Sequence, residues 1–227
     1  MKLHQITRQV YHVMFETQHE LFLTFIRPQE YYESPKFKGK TFSLEEFKKW
    51  YTKHSSHSNK KSQNKYYKDW QSFNIPSSVL KPFLQGKFNP LSKNEQELLK
   101  LLKNIKQKKF CIIGTYKKGD KKDLKHEIAH GLFYTNKKYK QQVIKILSKV
   151  DKNQKNKILT LLIKIEGYSK EVVEDELHAY ILADMPSLRR SNIKISKLQD
   201  IHNLLVKNFN EFYKNKHNLF KEFSPDI

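Results

Sequence analysis

The chain of 227 residues holds a single cysteine, Cys111, so it forms no intramolecular disulfide and no cysteine-based zinc knuckle. Cys111 lies in the apolar run Phe110-Cys111-Ile112-Ile113 and is expected as a small buried hydrophobe in a reducing compartment. Arginine is scarce as well. Only Arg8, Arg27, Arg189 and Arg190 stand among 44 basic residues, whereas base and phosphate recognition leans on the planar arginine fork. The formal charge of +21 is carried by lysines spread along the whole chain. It reads as a solvated surface, with weak, non-specific binding of a polyanion as its expected consequence. No stretch approaches the roughly 18 apolar residues of a membrane span. The first residues, Met1 to Ile6, carry no apolar core of a signal peptide, so a cytoplasmic protein is expected.

Core material is ample: 15 Phe and 12 Tyr, with aromatic residues at 13% of the chain. Such a chain is globular rather than disordered. No internal repeat is visible. Residues 9–26 alternate loosely and suggest strands, with a helix as the alternative for the second half. Ser43-Leu44-Glu45-Glu46 and Ser92-Lys93-Asn94-Glu95 are capping-box patterns. They predict helices to about Tyr51 and Lys106. Residues 53–65 read as an exposed loop, with His54 and His57 as solvent residues. Tyr66, Tyr67, Trp70 and Phe73 crowd a segment expected either to line a cleft or to cover the core. Lys109 to Thr115 reads as a short strand, followed by a charged turn and a helix capped by Asp123. Further helices are predicted over 137–149, 153–165, 169–184 and 195–222. The fold class is therefore α+β, with short strands ahead of the helix that carries two histidines and a helix-rich C-terminal half. The expected organisation is an α+β portion, 1–94, packed on a core, 95–227, in one compact unit.

The chemistry concentrates in His126-Glu127-Ile128-Ala129-His130. Histidines four apart on a helix project from one face, one turn above the other, and both can reach a single zinc ion. Glu127 then stands where a general base is needed. A catalytic zinc takes a third protein ligand and keeps one position open. A third histidine six residues beyond His130 is missing, since that position is Asn136, and Phe133 stands where the extended pattern requires glycine; a metzincin is excluded. The segment Glu171 to Tyr180 offers acids instead. On a helix, Glu176 has Val172, Val173, Ala179 and Tyr180 around it and faces inward, where a cation must compensate its charge. Glu174 has a more polar setting. Asp175 remains open as the third ligand or as an acceptor for a ligand imidazole. His178 points well away from Glu176 and is not expected to share its metal.

These residues resemble the gluzincin class of zinc peptidases, in which the two histidines of the helix motif are joined by a downstream glutamate. The downstream helix, preceded by a tyrosine, resembles the anthrax-lethal-factor-like branch. The resemblance covers roughly residues 109–184. It implies a zincin-like fold, Zn2+ held by His126, His130 and Glu176, and Glu127 as general base. Tyr168, eight residues before Glu176, would steady the transition state, with Tyr180 as the second choice. A peptide or protein substrate would be cleaved in extended form, with the strand around Phe110 to Thr115 supplying main-chain hydrogen bonds. The alternative is a basic, non-catalytic zinc-binding module for nucleic acid or another polyanion, whose binding would weaken steeply with salt.

Overall fold

The computed structural model describes residues 1–34, 36–54, 66–164 and 172–213. The protein is α+β, and its residues fall into two compact units. One comprises Met1–His4 with Tyr11–Gly119; the other comprises Gln5–Val10 with the described residues from Asp120 on. The division thus falls at the turn ahead of the histidine helix rather than near residue 94. His57 and residues 214–227 lie outside the described residues.

Strands β1 (Lys2–Gln5), β2 (Val10–Phe15), β3 (Phe73–Pro76) and β4 (Cys111–Tyr116) form a sheet in the order β1-β2-β4-β3. Strand β4 pairs antiparallel with β3, Gly114 opposite Phe73 and Ile112 opposite Ile75. The expected strand at 109–115 is therefore present, but it is internal. With β2 on one side and β3 on the other, it has no free edge to offer a peptide, which overturns the substrate-pairing role expected of it.

Helix α1 (Gln18–Glu33) resolves the ambiguity of residues 9–26. Thr17 caps it, with a capping box completed by Glu20, and Leu21, Phe22, Phe25 and Ile26 face the core. Helices α2 (Leu44–His54), α3 (Lys81–Leu84) and α4 (Lys93–Leu102) follow. Ser43–Glu46 and Ser92–Glu95 both form the reciprocal bonds of capping boxes. At the end of α2, His54 stacks on Trp50 and donates from Nδ1 to its main-chain carbonyl at 2.8 Å. Tyr67, Trp70 and Phe73 are spent on the core. Trp70 packs on Phe22, Phe47 and Tyr51, and Phe73 stacks on Phe25.

Arg27 and Glu95 form a buried pair. Arg27 Nε donates to Glu95 Oε1 at 2.7 Å, its Nη2 bonds Glu95 Oε2, and its other donors reach the carbonyls of Phe88 and Pro90. A second buried polar contact joins His12 Nε2 to Thr115 Oγ1 at 2.8 Å.

The second unit is helical: α5 (Lys121–Thr135), α6 (Lys137–Leu147), α7 (Lys152–Lys164), α8 (Val173–Ala183), α9 (Met185–Arg190) and α10 (Gln199–Phe212). Asp120, not Asp123, caps α5, accepting from Lys122 N at 2.9 Å. Asn136 ends α5 and caps α6, where its side chain accepts from Tyr139 N. No helix among the described residues is long and apolar enough to cross a membrane.

Two expectations about stability follow. A Cβ on Gly114 would meet Phe25 Cε2 at 2.5 Å and Leu21 Cδ1 at 2.7 Å, so α1 rests directly on β4 there. Gly114→Ala should cost about 1–3 kcal/mol in urea unfolding, by overpacking. Burial, with His4 adding to it, pushes the His12 imidazole down to about 4. Its folded-state value lies below its unfolded one, so the unfolded chain binds the extra proton between the two. The contribution is full above about pH 6.5 and lost as pH falls to about 4, a change of about 3 kcal/mol. Unfolding at pH 4 and 7 should show that loss in the native chain and a much smaller one in His12→Gln.

Candidate metal centre

Helix α5 buries Leu124, Ile128 and Leu132, three positions spaced four apart, together with Ala129 and Phe133. That apolar stripe fixes the rotation of the helix, which leaves His126 and His130 at the margin of the buried face. Helix α8 packs against α5 and buries Val173, Glu176, Leu177, His178 and Ala179. Lys125 ties the pair further, donating from Nζ to the carbonyl of Leu182 at 3.1 Å.

Between these helices, one ligand atom from each of His126, His130 and Glu176 comes within 4.8 Å of the others. His126 Nε2 lies 3.5 Å from Glu176 Oε2, and His130 Nε2 lies 3.5 Å from Glu176 Oε1. These separations are longer than an N–H···O hydrogen bond of about 2.7–3.2 Å. They match what a shared ion imposes: ligand atoms bound to zinc at about 2.0–2.1 Å in tetrahedral directions lie about 3.3–3.4 Å apart. Glu176 Oε2 is buried and makes no hydrogen bond among the described residues. Such a carboxylate oxygen is costly unless a cation faces it. The donor set, two imidazoles and a carboxylate, is one that zinc accepts. The residues fit the metal.

The two acids on α8 separate cleanly. Glu176 faces the Nε2 atoms, whereas Asp175 Oδ1 lies 2.9 Å from Nδ1 of His130, the opposite nitrogen of that ring. Asp175 is therefore not in the His126–His130–Glu176 cluster but behind it, its Oδ1 against the far nitrogen of the His130 ring and, like Glu176 Oε2, buried without an aligned hydrogen bond among the described residues. Glu174 is exposed and pairs with Lys155 at 3.3 Å. The electrostatics follow the geometry. Burial works to lower His130, but the carboxylates of Asp175 and Glu176 outweigh it and hold the ring well above its ordinary value. Burial works to raise Glu176, and the His130 and His126 rings outweigh it and hold its carboxyl below the usual range. A site that draws positive charge onto a ring by this means favours a cation of either kind, proton or metal.

Glu127 follows His126 on α5 and is half-buried. One turn earlier, burial raises the Asp123 carboxyl, with Asp120 and Glu127 adding to the effect. Tyr180 stands with its ring edge-to-face on His126, centroids 5.2 Å apart. Tyr168 lies outside the described residues. His178 is fully buried, stacked on Phe133, with Nδ1 2.8 Å from the carbonyl and 3.1 Å from the carboxylate of Asp175. Its Nε2 meets the hydroxyl of Tyr139 at 3.2 Å. Sequence reasoning set His178 aside because it cannot share the metal of Glu176. The i, i+3 spacing of Asp175 and His178 was the available signal for their contact; nothing local pointed to Tyr139.

No protein family, curated protein or solved structure matches the chain.

Metal analysis tests the cluster. The purified protein should carry about one zinc ion per chain, kept in Glu127→Gln and lost in His126→Ala or His130→Ala. Glu176→Gln should weaken zinc strongly, and Glu174→Gln should leave it unchanged. Full zinc in both histidine variants would remove the assignment.

Proposed function

We propose that the protein is a zinc-dependent hydrolase, a peptidase of gluzincin type with a zincin-like catalytic core. The observation that carries this reading is the convergence of both Nε2 atoms on the two oxygens of the buried Glu176 carboxylate, of which Oε2 makes no hydrogen bond among the described residues, at separations suited to a shared ion. The sequence pattern around Glu127 turns that cluster from a binding site into a reactive one. A structural zinc takes four protein ligands, and among the described residues the cluster offers three.

Zinc bound there would supply Lewis acidity, polarising a scissile carbonyl and activating a water. The roles of the chain's own residues follow. His126 and His130 present Nε2 lone pairs from one face of α5, and Glu176 supplies the charge that neutralises half of a divalent ion. Glu127 Oε takes the proton from the attacking water and returns it to the leaving amine. A tyrosine, Tyr168 first or Tyr180, whose ring stands edge-to-face on His126, donates to the developing oxyanion. The packed helices around the cluster limit the water that reaches it, which strengthens each of these interactions. The substrate is a peptide or protein, and the lone Cys111 suits a reducing, cytoplasmic setting.

Cleavage of a diverse peptide library is the test. Activity should disappear with a zinc chelator and return with added zinc. Glu127→Gln should retain zinc yet lose at least about a hundredfold in rate, as expected for removal of a general base. Native protein loaded with zinc that cleaves no faster than Glu127→Gln would exclude the peptidase.

A further inference from the structure

We infer that Asp175, His178 and Tyr139 form a buried positioning relay that locks the His130 ring for metal binding. The inference rests on the zinc site proposed above, and on geometry that site does not use.

A carboxylate only accepts hydrogen bonds. Asp175 Oδ1 is buried without an aligned hydrogen bond among the described residues and lies 2.9 Å from His130 Nδ1; two bare lone pairs repel at that separation, so the proton of a neutral His130 sits on Nδ1. Its Nε2 is left with a lone pair, and that atom is the one facing Glu176 and the His126 side of the cluster. Asp175 thus selects the tautomer of the ligand and its ring orientation.

Asp175 is itself held. His178 Nδ1 has only acceptors before it, the carbonyl and carboxylate oxygens of Asp175, so its proton is on Nδ1 as well. His178 Nε2 must then accept, and the Tyr139 hydroxyl at 3.2 Å donates to it. Every hydrogen position in the chain from Tyr139 to His130 is fixed by the acceptor-only carboxylate in its middle. The members come from three helices: Tyr139 from α6, Asp175 and His178 from α8, and His130 from α5. Tyr139 and His178 are both fully buried. A buried imidazole is dearer than a phenyl ring of similar shape unless its nitrogens are matched. Here both are matched, Nε2 by Tyr139 and Nδ1 by Asp175, which leads on to His130. The Phe133 ring, stacked on His178 at 5.2 Å, keeps the imidazole in the plane that reaches Asp175.

Zinc affinity measured by chelator competition, not cleavage, is the readout, so failure of the peptidase reading does not imitate failure of the relay. Asp175→Ala and His178→Leu should each weaken zinc about 10- to 100-fold, the range found for partners of ligand histidines. His178→Asn, whose Nδ2 stands near the lost Nδ1, should recover most of that loss, and Tyr139→Phe should fall between it and the native chain. A merely structural His178 would lower the unfolding midpoint of the zinc-free protein yet leave the zinc affinity of the folded chain alone. Affinity within about twofold of native in folded His178→Leu would overturn the relay. Should the variants fail to fold, nitrogen-15 spectra of the native zinc-loaded protein decide the matter. Protons on Nδ1 of both His130 and His178 are expected, and an Nε2 proton on either overturns the proposal. A native chain that takes up no zinc overturns relay and site together.

Discussion

Adjacent carboxylates on one helix, Asp175 and Glu176, must both be compensated in a setting where water does little of the work. Glu176 is buried, Asp175 half-buried, and among the described residues the positive or proton-donating groups against them are imidazoles: His126 and His130 from α5, His178 from the same turn of α8. This constraint organises the second unit. Helix α5 must present its histidines at the edge of its buried stripe, α8 must bury a polar turn, and α6 must bring the Tyr139 hydroxyl to the far side of His178. Remove the compensation and the packing of α5 on α8 leaves charge facing apolar surface.

The division of labour between the two acids depends on a helix rotation of about 100° per residue. Glu176 points at the nitrogens that can bind an ion. Asp175, one step round, reaches the back of the same His130 ring. The acid facing the Nε2 atoms and the acid behind His130 are thereby placed by consecutive residues of one rigid element. A loop in that position would carry both groups with more freedom and less precision.

What the sequence disclosed was local. The capping boxes at Ser43 and Ser92 were legible because all their bonds fall within four residues, and the Thr17-to-Glu20 box was equally legible but was masked by the loose alternation that precedes it. The inward turn of Glu176 and the outward turn of Glu174 followed from helical neighbours alone. The strand at 111–116 was legible as a strand, but its place between β2 and β3 was not, because strand order depends on segments a hundred residues apart. The cap of α5 went to Asp120 rather than Asp123, since the chain enters the helix directly from the charged turn. Asp175 stayed ambiguous between ligand and support, because a helical wheel fixes direction and not which ring nitrogen is met. The part of His178 required Tyr139, 39 residues away in sequence.

Glu95 carries a different lesson. Its carboxylate completes the cap at the start of α4 and also receives both arms of the Arg27 fork from α1. Helix ends ordinarily fray as separate, low-energy openings. Here the first turn of α4 cannot loosen without releasing a buried guanidinium, and the guanidinium cannot leave without uncapping the helix. The two events become one cooperative step, so this helix end opens together with the buried Arg27–Glu95 pair and not as a separate fray.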